Sequence, residues 1–149
     1  MPRRPLSTLM QVLPGLVLLL AAAPAFADVE GFQTPTGNIS CSVGQGEGLA
    51  DIDCTIYERA GPPATPRLAR CNAAWGHRFL MQEHGVAKAE CGPSIGSVPH
   101  GPDPSTRTVK YGVTEKFGGI VCRSSASALE CHNADGHGFS LSRQRQSIF

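Results

Sequence analysis

The chain has no C-x-x-C pair and no two cysteines at the C-x2-4-C spacing. Zinc sites usually carry such pairs, and thioredoxin-like redox sites need C-x-x-C, so both chemistries lack their usual basis. Aromatic residues are scarce, with one Trp, two Tyr and six Phe. Charge of either sign is also low, 13 Lys and Arg against 12 acids. That balance gives no electrostatic footprint for nucleic acid or anionic lipid. No like-charge block, basic amphipathic helix, phosphate-cradling loop or convincing carboxylate pair is visible.

The one long apolar run lies at the start. Arg3 and Arg4 precede an apolar stretch from Val12 to Ala23, broken by Pro14 and Gly15. Ala25-Phe26-Ala27 is a small-x-small cleavage signal, with Asp28 as the new N-terminus. Residues 1–27 therefore read as a secretory signal peptide, and 28–149 as a single secreted or periplasmic β-rich domain. The run is too short for a membrane span, so no membrane insertion is expected after cleavage. No Cys stands at the cleavage site, so no lipoprotein anchor is expected. The leader holds two of the 13 Lys and Arg and no acid, so the mature chain has 11 cations against 12 acids and a slight negative excess.

All six cysteines (Cys41, Cys54, Cys71, Cys91, Cys122 and Cys131) fall after the leader. An even count in a small exported chain implies a disulfide framework. Abundant Gly and Pro favour short strands and turns over long helices.

Asn38–Val43 and Leu49–Tyr57 read as a hairpin, the second strand alternating Ile52, Cys54, Ile56 with Asp51, Asp53, Thr55. Residues 60–66 hold three prolines and form a loop, and Arg67–Trp75 is expected to make one or two helical turns. His77–Gln82 and Val86–Cys91 read as a second hairpin around Glu83-His84-Gly85. Further strands are expected at Thr108–Val113, Gly119–Arg123 and Ala128–Cys131, with a turn at Asn133–Gly136 and a last strand and tail through Phe139, Leu141 and Ile148. One internal echo stands out. Gly37-x-Ile39-x-Cys41 is followed by Ile52-x-Cys54, and Gly118-x-Ile120-x-Cys122 by Leu129-x-Cys131. Chance similarity of two cystine hairpins is the competing explanation. The echo points to pairing of sequence neighbours: Cys41–Cys54, Cys71–Cys91 and Cys122–Cys131.

Candidate chemistry is thin. Gly92-Pro93-Ser94-Ile95-Gly96 matches the G-x-S-x-G nucleophile pattern, but Pro99 and Pro102 follow where a helix must start, so a plain loop is expected. Cys131-His132 with His137 is the closest approach to a metal cluster, and disulfides compete for that thiol; no metal or other cofactor is expected. His137, flanked by Gly136 and Gly138, is either presented to a ligand or held in its turn by backbone. His77, His84 and His100 are scattered and read as surface or turn residues. Trp75-Gly76 and Tyr111-Gly112 are expected in the core, or, if exposed, as contact residues. Arg143-Gln144-Arg145-Gln146 reads as a solvated strand with both Arg on one face. Asn38-Ile39-Ser40 is formally a glycosylation sequon, expected to be shielded by its strand.

The motif Phe32-x-Thr34-Pro35-x-Gly37-Asn38-Ile39-x-Cys41 resembles the opening signature of a family of small exported bacterial proteins, domain of unknown function 6636. So do Trp75-Gly76, Tyr111-Gly112 and Gly118-Gly119-Ile120-x-Cys122. The ending Leu129-x-Cys131-x-Asn133-x-x-Gly136-His137-Gly138-Phe139-x-Leu141-Ser142-Arg143 is similar as well. The resemblance implies a bacterial origin, export and a single domain, and it brings no activity or site residue.

The expected fold is mainly β: a disulfide-stapled antiparallel sandwich or open barrel of roughly five to eight short strands. The expected core is Phe32, Ile39, Ile52, Ile56, Trp75, Phe79, Leu80, Val109, Ile120, Leu129, Phe139 and Leu141. The expected function is a monomeric, non-catalytic binding module for an unknown protein or cell-wall component. One version is an inhibitor of an exported hydrolase, inserting Gly92–Thr106 or Asn133–Gly138 into its cleft. The rivals are a small secreted hydrolase using His137, and a purely structural envelope protein.

Overall fold

The computed structural model of the chain describes Met1 and residues 28–46, 49–92 and 101–149. The leader after Met1, the Pro93–Gly96 stretch of the G-x-S-x-G pattern, and His100 lie outside the described residues.

Alternating burial builds two sheets. The strands are β1 (Asp28–Gln33), β2 (Ile39–Gly46), β3 (Leu49–Ile56), β4 (Ala74–Gln82), β5 (Lys88–Gly92) and β6 (Arg107–Thr108), then β7 (Thr114–Phe117), β8 (Ile120–Ser124), β9 (Leu129–His132), β10 (Gly138–Leu141) and β11 (Gln146–Ile148). The first sheet has the order β5-β4-β3-β2-β1-β6 and the second β11-β10-β9-β8-β7. All pairings are antiparallel except β1 with β6, which is parallel. The architecture is an open sandwich, without helix among the described residues.

Strands β1–β5 and β7–β11 each form a meander with a cystine across its centre. In the first sheet Phe32, Cys41, Cys54, Phe79 and Ala89 lie opposite one another on successive strands. In the second, Cys122, Cys131, Phe139 and Ile148 do the same. The Cys-Cys-Phe row thus recurs on the second, third and fourth strands of each meander, so the sequence echo is an echo of structure. Both rows face inward. Phe79 meets Phe139 at 5.9 Å between ring centroids, and Phe32 stacks on Phe117 at 5.6 Å. All four rings are fully buried or nearly so, so truncating one to Ala costs about 3–5 kcal/mol. The disulfides join Cys41 to Cys54, Cys71 to Cys91 and Cys122 to Cys131. Three disulfides in so small a domain fit an oxidising, extracellular-type location.

At one open side of the sandwich Arg107 bonds Glu30 of β1 and Glu115 of β7, bridging the two sheets.

Several expectations are corrected. Arg67–Trp75 forms no helix. The Arg67 guanidinium donates to the carbonyls of Cys71 and Ala73, Cys71 is tied to Cys91, and Trp75 already belongs to β4. A stretch held at so many points cannot repay the cost of a helical nucleus. The strand expected at Thr108–Val113 stops at Thr108, because the chain reverses at Tyr111-Gly112 to cross from one sheet to the other. Gly112 takes φ +86°, open to glycine at little cost. The short strand β7 follows instead. Arg143–Arg145 is the β10–β11 turn rather than a strand, since the Ser142 hydroxyl bonds both the N–H and the carbonyl of Arg145. Leu80 faces outward, because strand alternation cannot bury both it and Phe79.

Candidate functional site

The outer face of the first sheet carries a depression that follows from its small residues. Ser42 stands opposite Gly31 and Asp53, and Gly44 opposite Val29 and Asp51. β4 adds Leu80 beside Asp53 and Gln82 beside Asp51. These positions are out of phase with Cys41, Cys54 and Phe79, so they face away from the core. Glycine and serine on β1 and β2 lower the floor, and longer side chains stand around it. The result is a groove of about 570 Å³ lined by Val29, Leu49, Asp51, Asp53, Glu83 and His84, among others. A second depression of about 550 Å³ shares Asp51, Asp53, Gln82 and His84 and continues over Arg78, Leu80, Val86 and Lys88.

Val29, Leu49 and Val86 are 74%, 67% and 69% exposed. Single exposed hydrophobics are ordinary, but three on one face, with half-buried Leu80 one outward position further along β4, form an apolar contact surface.

The charges of this face are uneven. The Arg78 Nε donates to both carboxylate oxygens of Asp53 at 3.1 and 3.0 Å, and its Nη2 adds a third bond. Lys88 pairs with Glu90 at 3.2 Å. Both cations are thus matched. Asp51 Oδ1 accepts the Gly44 N–H at 3.0 Å, and Glu83 Oε2 accepts the Ala50 N–H at 3.1 Å. Among the described residues Asp51 forms no ion pair, so the face carries a surplus negative charge there, whereas the Glu83 carboxylate turns against Gly118 and Gly119 of the β7–β8 turn.

A latch between the sheets lies beside His84, which lines the groove. Asn133, 3% exposed, donates from Nδ2 to the carbonyls of Gln82 (3.0 Å) and Gly85 (2.7 Å). Its Oδ1 accepts the N–H groups of Asp135 (3.1 Å) and His137 (3.0 Å). Every hydrogen-bonding valence of the amide along these directions is used. Beside it, Asp135 Oδ1 meets His84 Nδ1 at 3.0 Å, and Oδ2 accepts the Gly85 N–H at 2.8 Å. The hydrogen bond to Asp135 raises the His84 pKa above its ordinary value. The Gly85 N–H, then the His84 ring, lower that of Asp135.

The residues singled out from sequence are scattered over this frame. His137 is half-buried in the β9–β10 turn, its backbone tied to Asn133 and its ring near enough to Asp135 to help lower that acid's pKa. Trp75 is buried, its Nε1 donating to the Thr65 carbonyl at 2.9 Å. Tyr111 is 46% exposed and lies at the other end of the molecule. It borders a cleft of about 250 Å³ with Thr36, Ser125, Ser127 and Ser142. Those hydroxyls are engaged in local turns, which leaves the cleft few free polar groups. His77 bonds the Ile56 carbonyl through Nδ1 at 2.7 Å. Asn38 bonds the backbone of Glu58 in both directions.

Sequence reasoning missed His84 and the apolar rim. His84 and Asp135 sit in separate turns 51 residues apart, and only the sandwich brings them together. The rim did leave a signal: Leu49 shares strand parity with Asp51 and Asp53, which puts an apolar residue on the polar face.

Among the described residues no group of three His, Cys, Asp or Glu side chains is placed to hold a metal ion. No helix among them is long and apolar enough to cross a membrane. No curated protein and no solved structure matches the chain. A family model, described as a family of unknown function (DUF6636), matches residues 12–149. With nearly the whole chain inside that match, including the cystine hairpins and the Asn133 turn, the protein belongs to the DUF6636 family.

Proposed function

We propose that the chain is an exported, non-catalytic binding domain that meets its partner through the outer face of the six-stranded sheet. The observation that carries this reading is the gathering of exposed Val29, Leu49 and Val86 on one stapled, concave face. A rigid surface of that kind loses little entropy on binding, which favours recognition. Cleavage after Ala27 starts the mature chain at β1, beside Val29, in the periplasm or outside the cell. The partner is a protein or a cell-wall component. An exported hydrolase fits one version, with the Asn133–Gly138 turn, tied to His84 through Asp135, entering its cleft.

The test is a binding panel of cell-wall hydrolases and wall fragments, immobilised and titrated with the oxidised protein. The expected result is saturable binding to one member, lost in a Leu49→Asp/Val86→Asp variant of unchanged melting temperature. No binding across the panel, or binding indifferent to the variant, ends the reading.

The His84–Asp135 pair favours one rival. An imidazole held at Nδ1 by a carboxylate is the arrangement of a general base, so a hydrolase would use His84 rather than His137. Loss of ester or peptide turnover in His84→Ala, with melting unchanged, would favour that rival.

A further inference from the structure

We infer that the partner offers this face an extended peptide segment that mixes cationic and apolar side chains. The inference rests on the binding face proposed above and names the chemistry of its occupant. Three observations converge on it.

The first is charge. Arg78 and Lys88 are consumed by Asp53 and Glu90, whereas Asp51 faces the groove with only the Gly44 N–H as partner among the described residues. Attraction therefore acts on a positive ligand and disfavours phosphate backbones and anionic headgroups. The second is the lining. Val29, Leu49, Leu80 and Val86 supply apolar contact, and among the described residues no Phe, Tyr or Trp lines either depression. A sugar ring would lack its usual stacking partner there. The third is shape. The two depressions run across β1 to β5, four interstrand steps of about 4.8 Å, or about 19 Å in all. An extended peptide covers that span in about six residues at about 3.3 Å each.

A second copy of the chain fits poorly. In a two-fold contact through this face each copy would present the same unpaired Asp51 and the same matched cations, so neither would offer the other a free positive charge.

The test titrates the oxidised mature protein with three probes: acetyl-Lys-Leu-Lys-Leu-Lys-Leu-amide, its Ser-Leu counterpart and its Glu-Leu counterpart. Binding is followed by NMR shifts of the Val and Leu methyl groups. The expected result is movement of Val29, Leu49, Leu80 and Val86. The Lys peptide should bind at least tenfold more tightly than the Glu peptide at low salt, with the gap closing in 1 M NaCl. Asp51→Asn keeps an acceptor for the Gly44 N–H and should weaken the Lys peptide severalfold. Equal binding of all three peptides at these residues would overturn the cationic partner and leave the binding face standing. No shift at these residues with any probe would overturn the inference, while the hydrolase and wall-fragment panel decides the broader reading independently.

Discussion

Removing the Asn133 side chain should cost the fold about as much as removing a core ring. Asn133→Ala deletes four hydrogen bonds, two that hold the β4–β5 turn of one sheet to the β9–β10 turn of the other and two that shape the β9–β10 turn itself. Each such bond contributes about 0.5–1.5 kcal/mol net, and a buried partner left without one costs more. Gln82, Gly85 and Asp135 are exposed residues, so water can reach some of what is lost. With that discount the four bonds come to about 3 kcal/mol. For a domain of this length the loss lowers the melting temperature by about 10 °C. Asn133→Asp sharpens the test. It keeps the acceptor for the Asp135 and His137 N–H groups but turns a carboxylate oxygen towards the carbonyls of Gln82 and Gly85. At neutral pH it should destabilise at least as much as Asn133→Ala, and it should recover as the pH falls and the new carboxyl regains a proton to donate. Urea denaturation of the oxidised protein at pH 7 and pH 4 measures both. A loss below about 1 kcal/mol for Asn133→Ala, or wild-type stability of Asn133→Asp at pH 7, would refute the latch.

Other expectations follow from named contacts. Replacing each cystine by an Ala pair should rank Cys71–Cys91 as the largest loss and Cys122–Cys131 as the smallest. Their sequence separations are 20 and 9, for about 3.3 and about 2.6 kcal/mol in the chain-entropy account, readable by urea denaturation; a reversed order would contradict that account. NMR titration should place the His84 midpoint above the ordinary imidazole value, and Asp135→Asn should bring it down. In linkage terms the raised His84 pKa gives stability that is full below the ordinary imidazole value and fades as the pH rises through the folded one, whereas the lowered Asp135 pKa gives stability that fades as the pH falls through its own. The latch pair therefore works in mildly acidic solution, and Asp135→Asn should flatten the pH dependence there. Gly138→Ala should destabilise by about 1–3 kcal/mol or more in thermal melts, because a Cβ there runs into the Cys131 carbonyl. Gly136→Ala, with open space around it, should cost only the strain of its positive φ, about 1 kcal/mol.

Most of the fold was legible where period-2 alternation meets a cysteine. Ile39, Ile52, Ile56, Ile120 and Leu129 are buried as their parity requires, and the Asn133–Gly136 turn stands where its residues demand one. Legibility failed where a local bond outcompeted strand or helix: Arg67 over the Cys71 carbonyl, and Ser142 over Arg145. It failed also at Leu80, where hydrophobicity was taken for burial. The candidate face was less legible than the core. Leu49 betrayed it by parity, but Val29 and Val86 lie on other strands and turns, and only the sheet order sets them together. Asn133 and His137 belong to the signature that resembles the family, and the hydrogen bonds of the Asn133 amide account for that residue without a ligand.

The three disulfides also bear on how the chain reaches its folded state. Cys41, Cys54, Cys71, Cys91, Cys122 and Cys131 are joined first to second, third to fourth and fifth to sixth. A chain threaded N-terminus first into an oxidising compartment would deliver its thiols in partnered couples. An oxidase that links each newcomer to the last unpaired thiol would reach the native set without error. Such a protein needs oxidation in its compartment but little help from a disulfide-shuffling catalyst.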